Sequence, residues 1–292
     1  MWNRYLNYRA QWPGAFADHA PSGLRTDSDA PAKAHAALGV VEEHPDWLWV
    51  REWDGVTVTE RPIYLDAALR GQIEGYFALA AQRPDLFVQS PYVPLCMDRY
   101  AMLTFHTQTG KPVGLVFDNG RYYQVIADLI DTPVRFAYAR MVYPDRKGNG
   151  TVMIPCWQGE GKTLFGILHI YRHALRAPSG GEFPRGFLEP GLSPEENCAK
   201  ELREELAVQP EQLDRLVLLG RTRADTGLSG GEALVYLAQI SGPQPQGNAG
   251  HEGILSSEWL TLDELLRRIR CGEIKDGFTQ NATLLYLLQR PI

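Results

Sequence analysis

Residues 192–208, LSPEENCAKELREELAV, constrain this chain more than any other stretch, because they carry both a helix start signal and a one-sided charge pattern. Ser193 stands where an N-cap belongs, Pro194 at the first helical position and Glu196 three residues after the cap, which is the arrangement of a capping box. Glu201, Glu204 and Glu205 then follow at i, i+3 and i+4, so a helix places all three carboxylates on one face. Cys198, Leu202 and Leu206 form the adjoining apolar stripe that anchors such a helix to a core. The acidic face reads either as a solvated surface or as a cation site. Three like charges at this spacing repel, and a divalent ion that prefers hard oxygen ligands turns the repulsion into binding.

The rest of the chain divides in two. A length of 292 residues suits one large or two modest domains, and the polar, glycine-rich DRKGNG at 145–150 marks the break. The expected parts are an N-terminal α+β region at 1–147 and a second domain at 148–292. In the first, residues 13–37 read as irregular loop. WLWVREW and VTVTE read as strands, and residues 65–83 as a helix through Leu69, Ile73, Phe77 and Ala80, stopped by Pro84. VGLVFDNGRYYQVIADL predicts a hairpin with Asn119-Gly120 in a type I′ turn. Trp47, Trp49 and Trp53, with Tyr122 and Tyr123, read as core rather than as base-stacking platforms.

In the second part TVMIPCW and GKTLFGILHIYRHAL predict strands before a loop containing Ser179, Gly180 and Gly181. After the acidic helix, LVLLG and EALVYLAQI predict two more strands. Two closing helices follow, one opened by Thr261 with Glu264 as its box partner. The other is opened by Thr279, with Leu284, Leu285 and Leu288 on its buried side.

Charge and cysteines narrow the partners. Lys plus Arg number 29 against 35 Asp plus Glu, a net charge of -6, so no basic field draws in genomic nucleic acid. A small phosphorylated ligand remains compatible, since one metal cluster or arginine-lined pocket acts locally. The four cysteines, Cys96, Cys156, Cys198 and Cys271, make no C-x-x-C pair, which excludes a zinc knuckle or thioredoxin-like site and fits a reducing cytoplasm. The start MWNRYLNYRAQWPG lacks the apolar core of a signal peptide, and no run approaches the roughly 18 apolar residues of a membrane helix. The expectation is a soluble, cytoplasmic protein without a membrane partner.

The run EFPRGFLEPGLSPEENCAKELREELAV resembles the Nudix box, G-x5-E-x7-R-E-U-x-E-E-x-G-U with U aliphatic. Gly186 takes the opening glycine, Glu201 the glutamate after the arginine position, Glu204 and Glu205 the paired glutamates, and Val208 the closing aliphatic. The resemblance implies a Nudix α/β/α sandwich with a mixed sheet, in the α/β (α+β) class, behind a smaller α+β N-terminal region. It also implies Mg²⁺ or Mn²⁺ held by Glu201, Glu204 and Glu205 with Gly186. Three positions depart from the pattern: Leu192 replaces the first glutamate, Lys200 the arginine and Ala207 the second glycine. Lys200 lacks the planar fork of arginine but, four residues before Glu204, keeps a charge able to orient it.

ILHIYRHALRAPSGGEFPRGFLEPG is similar to the branch that hydrolyses ADP-ribose and nucleoside diphosphate sugars, through Tyr171, Arg172, Glu182, Pro184 and Gly186. EIKDGFTQNATLLYLL is similar to that branch's closing helix. The proline that ADP-ribose enzymes carry after the box has no counterpart in GRTRADTGLSGG. The resemblance implies cleavage of a diphosphate linkage in a small nucleotide substrate, with Glu204, Glu205 and Lys200 in the catalytic set. Glu252 is taken as the further ligand or general base, in preference to Glu258. Arg172, Arg185, Arg221 and Arg223 are the phosphate contacts, although Arg221 and Arg223 read equally as solvated loop residues. Glu189 is an additional metal or orienting candidate; His251, beside Glu252, reads as an incidental loop histidine rather than as its assistant, and His169 and His173 are structural. The branch implies a homodimer. The alternative is a degenerate Nudix domain that binds a nucleotide sugar as a sensor.

Overall fold

The computed structural model describes residues 36–44, 47–53, 57–64, 67–120, 122–143, 150–245, 247–250 and 252–289. Residues 145–149 of the DRKGNG break and nearly all of the 13–37 stretch therefore lie outside the described residues, as do the side chains of Trp47, Trp49 and Trp53. The chain forms two compact units, Met1–Pro144 and Asp145–Ile292.

In the first unit β1 (Ala36–His44), β2 (Trp47–Trp53) and β3 (Val58–Tyr64) make an antiparallel meander. Two helices follow, α1 (Ala67–Gln82) and α2 (Arg99–Thr109). A second meander consists of β4 (Gly114–Asp118), β5 (Gln124–Ile130) and β6 (Phe136–Val142). The helix expected at 65–83 is α1, which buries Leu69, Ile73, Tyr76 and Leu79 and stops before Pro84 opens a 3₁₀ turn. Helix α2 and strand β6 were not expected. The start of α2 is set by Asp98, whose side chain accepts from the Ala101 amide, and its end by left-handed Gly110.

The β4–β5 hairpin departs from the expected two-residue turn. Its loop runs from Asn119 to Tyr123, because the Asn119 side chain accepts the amides of both Tyr122 and Tyr123 and closes a wider turn. Tyr122 is exposed rather than core, while Tyr123 packs on Phe117. Charge inside this unit is compensated: buried Asp128 accepts from the Tyr76 hydroxyl at 2.6 Å and from Arg140 Nε at 2.5 Å.

The second unit is built on a mixed sheet. Its strands are β7 (Gly150–Gly159), β8 (Lys162–Arg172), β9 (Ala177–Pro178), β10 (Arg185–Phe187), β11 (Leu213–Thr222), β12 (Ala233–Ile240) and β13 (Ile254–Leu260). Helix α3 (Pro194–Leu206) follows β10, and α4 (Leu262–Arg270) and α5 (Gly277–Leu288) close the chain. The strand order is β11-β12-β7-β8-β13, with β10 on β7 and β9 on β8. The β12–β7 pair is parallel and the other pairs are antiparallel.

Strand β7 is buried almost throughout, and its side chains alternate between two cores. Val152, Ile154 and Cys156 join Leu265, Ile274 and Ala282 on the α4 and α5 side. Met153 and Trp157 join Cys198, Leu202 and Leu206 on the α3 side. The architecture is the α/β/α sandwich. Cys198, Leu202 and Leu206 are fully buried, and at about 1.5–3 kcal/mol for each buried leucine the apolar stripe fixes which face α3 turns to the sheet.

Two readings of the last helix are corrected. Its N-cap is Asp276, not Thr279: the Asp276 side chain accepts from the Thr279 amide, so the helix begins at Gly277. Aspartate is among the strongest N-caps, and Thr279 falls at the position that receives the cap's hydrogen bond. Leu284 and Leu288 are exposed, and the buried positions are Thr279, Ala282 and Thr283.

Candidate active site

Helix α3 carries the acidic face as the sequence specifies. The capping box is complete, with Ser193 accepting from Glu196 and Glu196 accepting from Ser193. At the other end Ala207 adopts a left-handed conformation, φ 58°, and the Val208 amide donates to Leu202. A glycine belongs at such a position, and alanine there carries backbone strain.

The three glutamates differ in surroundings. Glu205 is 5% exposed and its Oε2 accepts the main-chain amide of Arg185 at 3.0 Å. Burial pushes its pKa up to about 8, assisted by the nearby charges of Glu201 and Glu252 and opposed by the Arg185 amide and by Arg172. Glu201 is buried as well, and burial raises it too, with Glu204, Glu252 and Glu189 adding to the shift and Lys200 opposing it.

The Glu201 carboxylate rests directly on the Cα of Gly186. A Cβ at residue 186 would collide with it, so a side chain there would displace the Glu201 carboxylate. Glu204 is half-exposed and bonded to Lys200 Nζ at 2.6 Å. The same ammonium lies 3.4 Å from Glu189 and 3.6 Å from Glu201. Although partial burial works against its charge, these carboxylates hold the Lys200 pKa above its ordinary value.

Glu252, exposed on the loop before β13, adds to the upward push on both Glu201 and Glu205. Its position is not left to chance. Asn248 donates its side-chain amide to the carbonyls of Arg203 and Glu204, and the amides of Gly247 and Asn248 donate to Leu206 and Glu205. The loop thereby satisfies the terminal carbonyls of α3. Glu252 holds a left-handed φ of 45°. Glu258, by contrast, is committed elsewhere. Burial alone would raise it, but Arg268, bound through two nitrogens, and His169, at 2.6 Å, hold its pKa below the usual range.

Arg172 and Arg185 converge on Glu182, which is only 2% exposed. Arg172 binds it through Nε at 2.9 Å and Nη2 at 2.6 Å, and Arg185 through Nη2 at 2.8 Å. Burial would raise Glu182, yet the two guanidiniums hold its pKa below the usual range. Arg221 and Arg223 instead pair with Glu232 beyond the end of β11 and are largely exposed, at 64% and 51%. His173 stacks edge-on against Tyr171, and His251 lies outside the described residues. Asn197, Asn248 and Asp276 contribute without having been singled out. Asn197 links the Glu189 amide to Thr151, and Asp276 binds Arg185. Most of their partners are distant in sequence, so no local pattern marked them.

In chemical terms the cluster offers hard carboxylate oxygens in excess, with two guanidiniums alongside. Among the described residues, no group of three or more His, Cys, Asp or Glu side chains is already gathered as a metal site. The donor type, with the burial and then the like charges that raise Glu201 and Glu205, suits a divalent cation, whose charge would offset both.

Residues 148–281 match the family model described as NUDIX domain, so the second unit carries a Nudix domain. Among solved structures, one titled "Crystal structure of ADP compounds hydrolase" is 17% identical, with a TM-score of 0.46 over 59% of this chain and 88% of that one. No curated protein matches the sequence. No helix among the described residues is long and apolar enough to cross a membrane.

Proposed function

We propose that this chain is a metal-dependent pyrophosphohydrolase that cleaves the diphosphate linkage of a nucleoside diphosphate joined to another group, of the ADP-ribose or nucleotide-sugar kind. The observation that carries the reading is Glu205: a buried carboxylate crowded by Glu201 and Glu252, beside two guanidiniums that converge on one buried acid. Two guanidiniums next to an excess of carboxylates match a phosphate-bearing substrate that would be taken together with a divalent cation.

In this reading Glu201, Glu204 and Glu205 would hold Mg²⁺ or Mn²⁺, with Gly186 keeping room for Glu201. A divalent ion there supplies polarisation of a phosphoryl oxygen and a lowered pKa for bound water. Arg172 and Arg185 bind phosphate oxygens and fix the diphosphate in register. Glu252, outside the helix and tied to it by Asn248, accepts the proton of the attacking water. Lys200 orients Glu204. Water attack on one phosphorus then gives a nucleoside monophosphate and a phosphorylated remainder.

Incubation with nucleoside diphosphate compounds and Mg²⁺ or Mn²⁺, with products identified by mass spectrometry, tests the proposal. Glu204→Gln is expected to lower turnover by about two orders of magnitude or more while the fold is kept. Equal turnover in variant and parent would reject the assignment. One observation favours a second reading, a nucleotide-sugar sensor: the Lys200 ammonium sits among Glu189, Glu201 and Glu204, where it competes with a cation for the same oxygens. Tight calorimetric binding of ADP-ribose without product, across several metals, would select the sensor.

A further inference from the structure

The Asp-Gly-x-Thr entry into α5 does more than start a helix. Asp276 divides its carboxylate: Oδ2 accepts from the Thr279 amide at 2.9 Å and the Thr279 hydroxyl at 2.8 Å, while Oδ1 accepts from Arg185 Nη1 at 2.9 Å. Thr279 Oγ1 in turn accepts the Phe183 amide at 2.9 Å. The first turn of α5 is therefore stitched to the chain on both sides of Pro184.

Arg185 is held from several directions as a result. Its guanidinium is fixed by Asp276 and Glu182 and lies over the Phe278 ring at 4.9 Å, while its main-chain amide holds Glu205. Arg172 Nη2 and Arg185 Nη2 both bind the same oxygen, Glu182 Oε2, so two like charges stand side by side. One buried carboxylate balances one guanidinium. The second requires another acid, and Asp276 is the one in contact.

We propose that Asp276 is a positioning residue for diphosphate binding: it locks Arg185 beside Arg172, so that the pair receives phosphate oxygens at the edge of the carboxylate cluster. This rests on the reading of the site as one for nucleoside diphosphates. A residue at the C-terminal helix thereby sets affinity at a site whose signature lies far earlier in the chain.

Asp276→Asn is the informative change, because asparagine caps a helix as well as aspartate does but carries no charge for Arg185. Binding of ADP to the full chain without divalent metal, read by calorimetry, is expected to weaken about tenfold, or about 1.4 kcal/mol. Mn²⁺ binding, read by electron paramagnetic resonance, is expected to stay as in the parent. In an Arg185→Met background the same change is expected to cost nothing further, which a merely structural cap would not produce. Equal ADP affinity in Asp276→Asn and parent, additive losses with Arg185→Met, or a parent that does not bind ADP would each overturn the proposal. A parent that binds ADP but hydrolyses no nucleoside diphosphate compound would remove the enzyme reading and leave this one standing.

Discussion

Glu205 has two neighbours of its own sign, Glu201 and Glu252, and little water to screen them. Its folded pKa, near 8, lies above the ordinary 4.5, so folding favours the protonated form. The stability this contributes is complete below about pH 4.5 and is lost as pH rises through about 8. Glu201 acts in the same direction, whereas Glu182, held below its ordinary value, loses its contribution only in acid. The melting temperature of metal-free protein is therefore expected to fall between about pH 5 and pH 8, and Glu205→Gln is expected to flatten that fall. A calorimetric scan of both proteins at several pH values checks it, and parallel curves would contradict it. The box residues were legible as a spacing on one helix. Their inequality was not, because the burial of Glu205 against the Arg185 amide depends on strands the helix itself does not encode.

At the scale of elements, α3 was legible because both its signals are local: the Ser193 cap and the i, i+3, i+4 spacing. Helix α2, RYAMLTFHTQT, escaped because three threonines and scattered apolar residues blur its period. The start of α5 was misplaced because Asp276 and Thr279 are both capable caps, and only the structure shows Thr279 receiving the bond. The end of α3 carries a testable strain. Ala207→Gly removes the cost of a side chain at φ 58°, partly offset by glycine's greater freedom when unfolded. A stabilisation of about 1 kcal/mol in urea unfolding is expected. A loss of stability would show that the turn is not strained.

Over the whole molecule the two units each have a core of their own, one around Tyr76, Phe87, Met102 and Leu129 and the other on both faces of the mixed sheet. Residues 145–292 expressed alone are therefore expected to unfold in one cooperative thermal transition and to retain Mn²⁺ binding; a non-cooperative melt would contradict this. The pairing of Arg185 with Asp276 was not legible in the sequence, since the two residues are 91 positions apart and nothing local links them. The central claim, that Glu205 belongs to a divalent cation site, is tested most directly by titrating Mn²⁺ into the metal-free full chain at pH 7 in buffers of different ionisation enthalpy. With a pKa near 8, Glu205 must give up its proton when the ion binds. Release of about one proton is expected from the parent, and markedly less from Glu205→Gln together with weaker binding. Equal affinity and equal proton release in the two proteins, or no binding by the parent, would contradict the account.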